Sequence, residues 1–191
     1  MTISRVPVVR RAVVGVALPV LLLTGCADRA APAAEPSSGP TRTVPGDFCD
    51  RLDYTVAVPA FVKAMPIPAQ DVDRGPDASC SKGFFSGDEF AGGFVMVKTQ
   101  TFDSAAQART AFERTAGGDA AEQFAGGAEI VADEVRYLQI RGDARITVLD
   151  ANVMMEIRLV SPTPVGDEQA AALPPSAVRV AVQALELIRV A

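Results

Sequence analysis

The stretch VMMEIRLV, residues 153–160, alternates with a period of two. Val153, Met155, Ile157 and Leu159 point one way, and Met154, Glu156 and Arg158 point the other. Successive side chains of a strand leave on opposite faces, so this pattern predicts a strand with one buried and one wetter face. A wet face argues for an antiparallel sheet, because parallel sheets are covered on both sides.

Working outward, EVRYLQIR (134–141) and ARITVLD (144–150) read as two more strands, with tight connections at Gly142-Asp143 and Asp150-Ala151-Asn152. CSKGFFS (80–86) and GFVMVKTQTF (93–102) flank the glycine-bearing GDEFAGG and predict a hairpin. Between these regions, DSAAQARTAFERTAGG (103–118) predicts a helix. Ser104 and Gln107 have the spacing of a capping box, and Gly117-Gly118 end the helix. Its Ala105, Ala108 and Phe112 share a face small enough to pack closely on a sheet. SAVRVAVQALELIRVA (176–191) predicts a closing amphipathic helix with Val178, Ala181, Val182, Leu185 and Ile188 on one stripe. Pro174-Pro175 are read as its start.

At the front of the domain, Asp47 is placed to cap a short helix that buries Phe48, Leu52 and Val56. Pro59 and Pro66 keep this region to short pieces, and residues 67–79, rich in Pro, Gly and Asp, read as loop. The order is helix, hairpin, helix, three strands, helix. It predicts an α+β domain: an antiparallel sheet of about five strands with helices packed on one face.

The chain before this domain reads as an address. Arg5, Arg10 and Arg11 precede an apolar run from Ala12 to Leu23, too short for a stable membrane span and suited to a signal peptide. Leu23-Thr24-Gly25-Cys26 then resembles the bacterial lipobox. That resemblance implies cleavage between Gly25 and Cys26 and lipidation of Cys26, with palmitate-type acyl chains attaching it to the membrane. A non-lipidated signal peptide and a single membrane anchor are the competing readings. More than one acyl chain gives stable attachment, where one is marginal. Residues 27–46 are mostly Ala, Pro, Ser, Gly and Thr and predict a flexible tether. The expected division is thus 1–25 leader, 26–46 lipidated cysteine and tether, and 47–191 a single α+β domain.

Without the three leader arginines the chain keeps 15 basic residues against 23 acidic ones, a net charge near −8. Such a domain gains nothing from counterion release on a phosphate backbone, so nucleic acid is not an expected partner. With Cys26 assigned to lipid, Cys49 and Cys80 remain, and in an oxidising compartment an even pair reads as a disulfide. Two buried free thiols are the alternative.

The order and composition resemble the small cell-envelope lipoproteins of high-GC Gram-positive bacteria, the actinobacteria, many of which carry domains of unknown function. The resembling features are the lipobox, the Pro/Ser-rich tether, the early cysteine in DFC (47–49), a second cysteine before the first strand, and a strand running into TFDSAAQARTAFE (101–113). Similar strand-to-helix passages occur in lipoproteins with a Mog1/PsbP-like fold. The resemblance implies an extracytoplasmic, membrane-held domain and supplies no catalytic residue.

The chain contains no histidine. That removes Ser-His-Asp and Cys-His catalysis and histidine metal sites. No Walker-type phosphate loop is present. Asp71, Asp73 and Asp77 lie close in sequence, but Gly75 and Lys82 occupy the fifth and twelfth positions of the calcium-loop pattern. The acids Asp47, Asp50 and Asp53, Asp88-Glu89 and Asp133-Glu134 read as surface charge. No metal or other cofactor is expected. Adjacent apolar pairs are more informative. Phe84-Phe85 and Met154-Met155 each send one side chain to the second face of a strand. Either a helix or loop covers that face, or the residues form an apolar patch for a partner.

These observations favour a non-enzymatic lipoprotein on the outer face of the cytoplasmic membrane, binding an envelope protein or a small apolar ligand. The alternative is an acid-residue hydrolase of envelope glycans, which needs two carboxylates across a cleft.

Overall fold

A computed structural model describes residues 40–60, 63–64, 70–74, 77–85, 92–117, 129–140, 142–161 and 166–190. The elements are α1 (Phe48–Arg51), a 3-10 segment (Tyr54–Ala60), β1 (Lys63–Ala64), β2 (Gln70–Arg74), β3 (Asp77–Phe85), β4 (Gly92–Thr101), α2 (Ala105–Ala116), β5 (Glu134–Ile140), β6 (Asp143–Asp150), β7 (Val153–Val160) and α3 (Asp167–Arg189). The fold is α+β. Five long strands run in the order β3-β4-β7-β6-β5, and every neighbouring pair is antiparallel. Two short strands, β1 and β2, both pair with the outer edge of β3.

β2 and the start of β3 fall where the composition predicts loop. These two strands pair from Gln70↔Ser81 to Arg74↔Asp77. A short edge strand uses one ladder of backbone hydrogen bonds and needs no alternating apolar face, so its polar composition conceals it.

Val153, Met155, Ile157 and Leu159 of β7 lie in the main core, as their alternation predicts. Val95 and Val97 of β4, Ile146 and Val148 of β6, and Ala177, Ala181, Leu185 and Ile188 of α3 pack with them. Among the described residues α3 alone is long and apolar enough to cross a membrane, but half of its apolar window is buried in the domain. The second face has its own, smaller core: Ala108, Phe112 and Ala116 of α2 close over Leu149 and Met154. Helices therefore lie on both faces of the sheet and not on one. The cause is local, because Leu149 and Met154 sit directly opposite each other and need cover on that side.

α2 begins as its sequence indicates, with the Ser104 hydroxyl accepting from Gln107 N at 3.3 Å. It ends at Gly117, where an added Cβ would collide with the Glu113 carbonyl. Asp47 occupies the N-cap of α1 but makes no side-chain capping hydrogen bond. α3 starts at Asp167, seven residues before Pro174, so both prolines lie inside it. Pro174 has no N–H to give the Ala170 carbonyl. Gln139 of β5 supplies the missing donor, its Nε2 lying 3.2 Å from Ala170 O.

The Tyr137 hydroxyl in turn donates to Gln139 Oε1 at 2.9 Å. Burial pushes this phenol up to about 12. An unfolded tyrosine titrates near about 10. The contribution of Tyr137 to stability is therefore whole below about pH 10 and is lost as pH rises towards about 12. Tyr137→Phe should reduce the alkaline loss of stability over that window, as read from urea midpoints at stepped pH. An unchanged alkaline slope would refute the assignment.

The packed chain begins before Asp47. Val44 is in the core, and Arg42 bonds to the β6–β7 turn through its N–H to Asn152 Oδ1 at 2.6 Å. Its guanidinium reaches Asp150 Oδ2 at 2.9 Å. Arg189, at the end of α3, reaches the same carboxylate at 3.0 Å through both Nε and Nη2. Asn152 also donates to the Phe102 carbonyl just ahead of α2. Ala151, at positive φ, gives its N–H to Asp133 Oδ2 at 2.7 Å, which holds the tight turn.

Candidate functional site

Cys49 and Cys80 form a disulfide, Cα–Cα 5.4 Å, which joins α1 to β3. Gly25 and Cys26 lie outside the described residues, as do Asp88 and Glu89. Phe84 and Met155 are fully enclosed in the main core, and Met154 is 6 % exposed beneath α2. These three form no apolar patch: Phe84 and Met155 face the main core, and α2 covers Met154 on the second face. Phe85 pairs through its backbone with Lys63 and Gly92.

The acids named from sequence do not converge either. Asp71 and Asp73 belong to β2 and Asp77 to β3, so no single loop carries them. Among the described residues no group of three metal-binding side chains occurs. Thr55 donates to Asp53 through both its hydroxyl and its N–H, and these bonds hold the Asp53 carboxyl below its usual range. Asp133 and Glu134 part company: Asp133 binds the β6–β7 turn, whereas Glu134 pairs with Arg136 and Arg109. The hydrogen bonds from Arg136, with a smaller contribution from Arg109, lower the Glu134 pKa against the opposing effect of burial.

What the structure does bring together lies on the second face of the sheet. Across β4, β7, β6 and β5 the register makes four rows: Gln100–Met154–Leu149–Glu134, Lys98–Glu156–Thr147–Arg136, Met96–Arg158–Arg145–Leu138, and Phe94–Val160–Asp143–Ile140. α2 packs on the first row. At the far end, Phe94 is 38 % and Ile140 61 % exposed. Two arginines directly opposite each other would repel. Asp143 offsets this by accepting both Nε and Nη2 of Arg158, and the pairing raises the Arg158 pKa. A small recess of about 200 Å³ lies between Leu138, Ile140, Asp143, Arg145 and Arg158.

A larger groove, about 580 Å³, runs between α2 and the sheet. β3 gives it Asp77 and Ser79, β4 gives Lys98 and Gln100, β7 gives Met154 and Glu156, and α2 gives Thr115. Sequence reasoning missed Lys98, Gln100, Glu156 and Thr115. They are spread over three elements, and only the register gathers them. The available signal was the polar side of the 153–160 alternation, which contains Glu156.

The chain matches no protein-family model and no curated protein.

Proposed function

We propose that this chain is a lipid-anchored protein of the extracytoplasmic face of a cell membrane, and that its α+β domain is a binding module for another envelope component. The observation that carries this reading is the second sheet face. α2 covers Leu149 and Met154 of its first row, and the far rows present Phe94 and Ile140 beside the paired arginines. A mixed surface of aromatic, aliphatic and guanidinium groups suits protein docking. It suits a small apolar ligand less well, since the groove on this face is lined mainly by polar residues. The disulfide supports export to an oxidising compartment. The lipobox-like sequence at Cys26 supports the anchor.

Two measurements test the reading. Cys26→Ser should move the protein from the membrane fraction to the soluble fraction; unchanged retention would overturn the anchor. A photo-crosslinking residue at Phe94 should give a discrete adduct in intact cells, and one at the exposed Glu186 of α3 should give none. Equal labelling from both positions would overturn the docking face.

The hydrolase alternative has one observation in its favour, the presence of Asp77 and Glu156 in one groove. It requires that wall-glycan fragments be cleaved by the wild-type chain and spared by Glu156→Gln.

A further inference from the structure

We infer that the groove between α2 and the sheet binds an amino-acid zwitterion, either a free amino acid or the charged ends of a short peptide. The inference rests on the reading of the domain as a binding module and names the chemistry of what that module takes.

Lys98 and Glu156 are directly opposed on β4 and β7, which puts their Cβ atoms roughly 4.5–5.5 Å apart. Both line the groove, yet no ion pair joins them among the described residues. Glu156 is instead close enough to Arg158, two residues along the same face, to act on its charge. The groove therefore offers an ammonium and a carboxylate from adjacent positions, each able to meet an opposite charge. Asp77 adds a second acid: one of its oxygens accepts from Thr101 N at 2.9 Å, which leaves the other for the groove. Gln100, Ser79 and Thr115 supply neutral donors and acceptors, and Met154 gives a short apolar floor.

Other ligand classes fit worse. Two carboxylates beside an ammonium do not make a divalent-cation shell. A polyanion would meet two acids, and a polyamine would meet Lys98. A neutral sugar would find hydroxyl partners, but among the described residues no aromatic ring lines the groove to stack on. A zwitterion uses both signs: its carboxylate on Lys98, its ammonium between Glu156 and Asp77. The volume of about 580 Å³ falls within the range of small-ligand sites, about 300–1,000 Å³.

The test is calorimetric titration of the full purified chain in detergent with alanine, alanyl-alanine, its N-acetyl and C-amide derivatives, and a neutral disaccharide. Alanine or alanyl-alanine should bind, and which of the two binds more tightly separates a free amino acid from a peptide. Blocking either charged end should weaken binding by about tenfold, the loss of one charge-assisted hydrogen bond. Lys98→Met should weaken alanyl-alanine but leave the weaker C-amide derivative unaffected, and Glu156→Gln should do the same for the N-acetyl derivative. Melting curves of both variants show whether the fold is intact. No binding of either zwitterion, equal binding of the blocked forms, or preference for the disaccharide would overturn the inference. Cys26→Ser fractionation and Phe94 crosslinking read the module itself, so the groove can fail while the module stands.

Discussion

Replacing Asp150 by alanine should lower the unfolding free energy by about 3 kcal/mol, the lower part of the range for removing one partner from a buried ion pair. Its carboxylate is 6 % exposed and holds two guanidinium groups, Arg42 and Arg189. Without it, Arg42 would lose its carboxylate partner, and Arg189 would keep only its bond to the Val131 carbonyl and the weaker pull of Asp133. The two arginine side chains are 24 % and 29 % exposed, so water recovers part of the loss, and the upper end of the range does not apply. Arg42→Ala should cost less than Asp150→Ala, because it leaves Arg189 paired. The measurement is the urea midpoint at neutral pH with an unchanged denaturant slope. A shift no larger than that of Asp103→Ala, an exposed control, would show that Asp150 contributes no more than a surface acid.

Reducing the disulfide should have a comparable effect by a different route. Cys49 and Cys80 are separated by 31 residues in sequence. Closing a loop of that length removes about 3–4 kcal/mol of unfolded-state freedom on the chain-entropy model. For a domain of this size the melting temperature should fall by about 10 °C. Both sulfurs are buried, Cys49 at 2 % and Cys80 at 0 %, so reduction should be slow without denaturant. The double replacement by alanine gives the same reading without a reductant, though it adds the loss of two packed side chains. Equal melting temperatures with the bond intact and broken would refute the estimate.

Local patterns were legible where one segment contained the whole signal. The alternation of residues 153–160 identified β7 and the sheet type, and Ser104 with Gln107 marked the start of α2. Three features were hidden because their causes lie on other segments. α3 extends past Pro174 towards its N-terminus because Gln139, on β5, supplies the donor that proline lacks. β2 is polar and becomes a strand only beside β3. The groove depends on the register that sets Lys98 opposite Glu156, and no single segment shows that pairing. The side taken by α2 was readable in principle. Leu149 and Met154 flank the β6–β7 turn and point away from the main core, and this alone calls for a second cover.

The shared carboxylate of Asp150 also bears on chain connectivity. Arg42 near the start of the described chain and Arg189 near its end meet on that one side chain, so the two ends of the fold are neighbours. Protein domains with adjacent ends tolerate circular permutation. The domain is thus close to a closed ring cut at one point, and the place of the cut is separate from the packing that holds the sheet together.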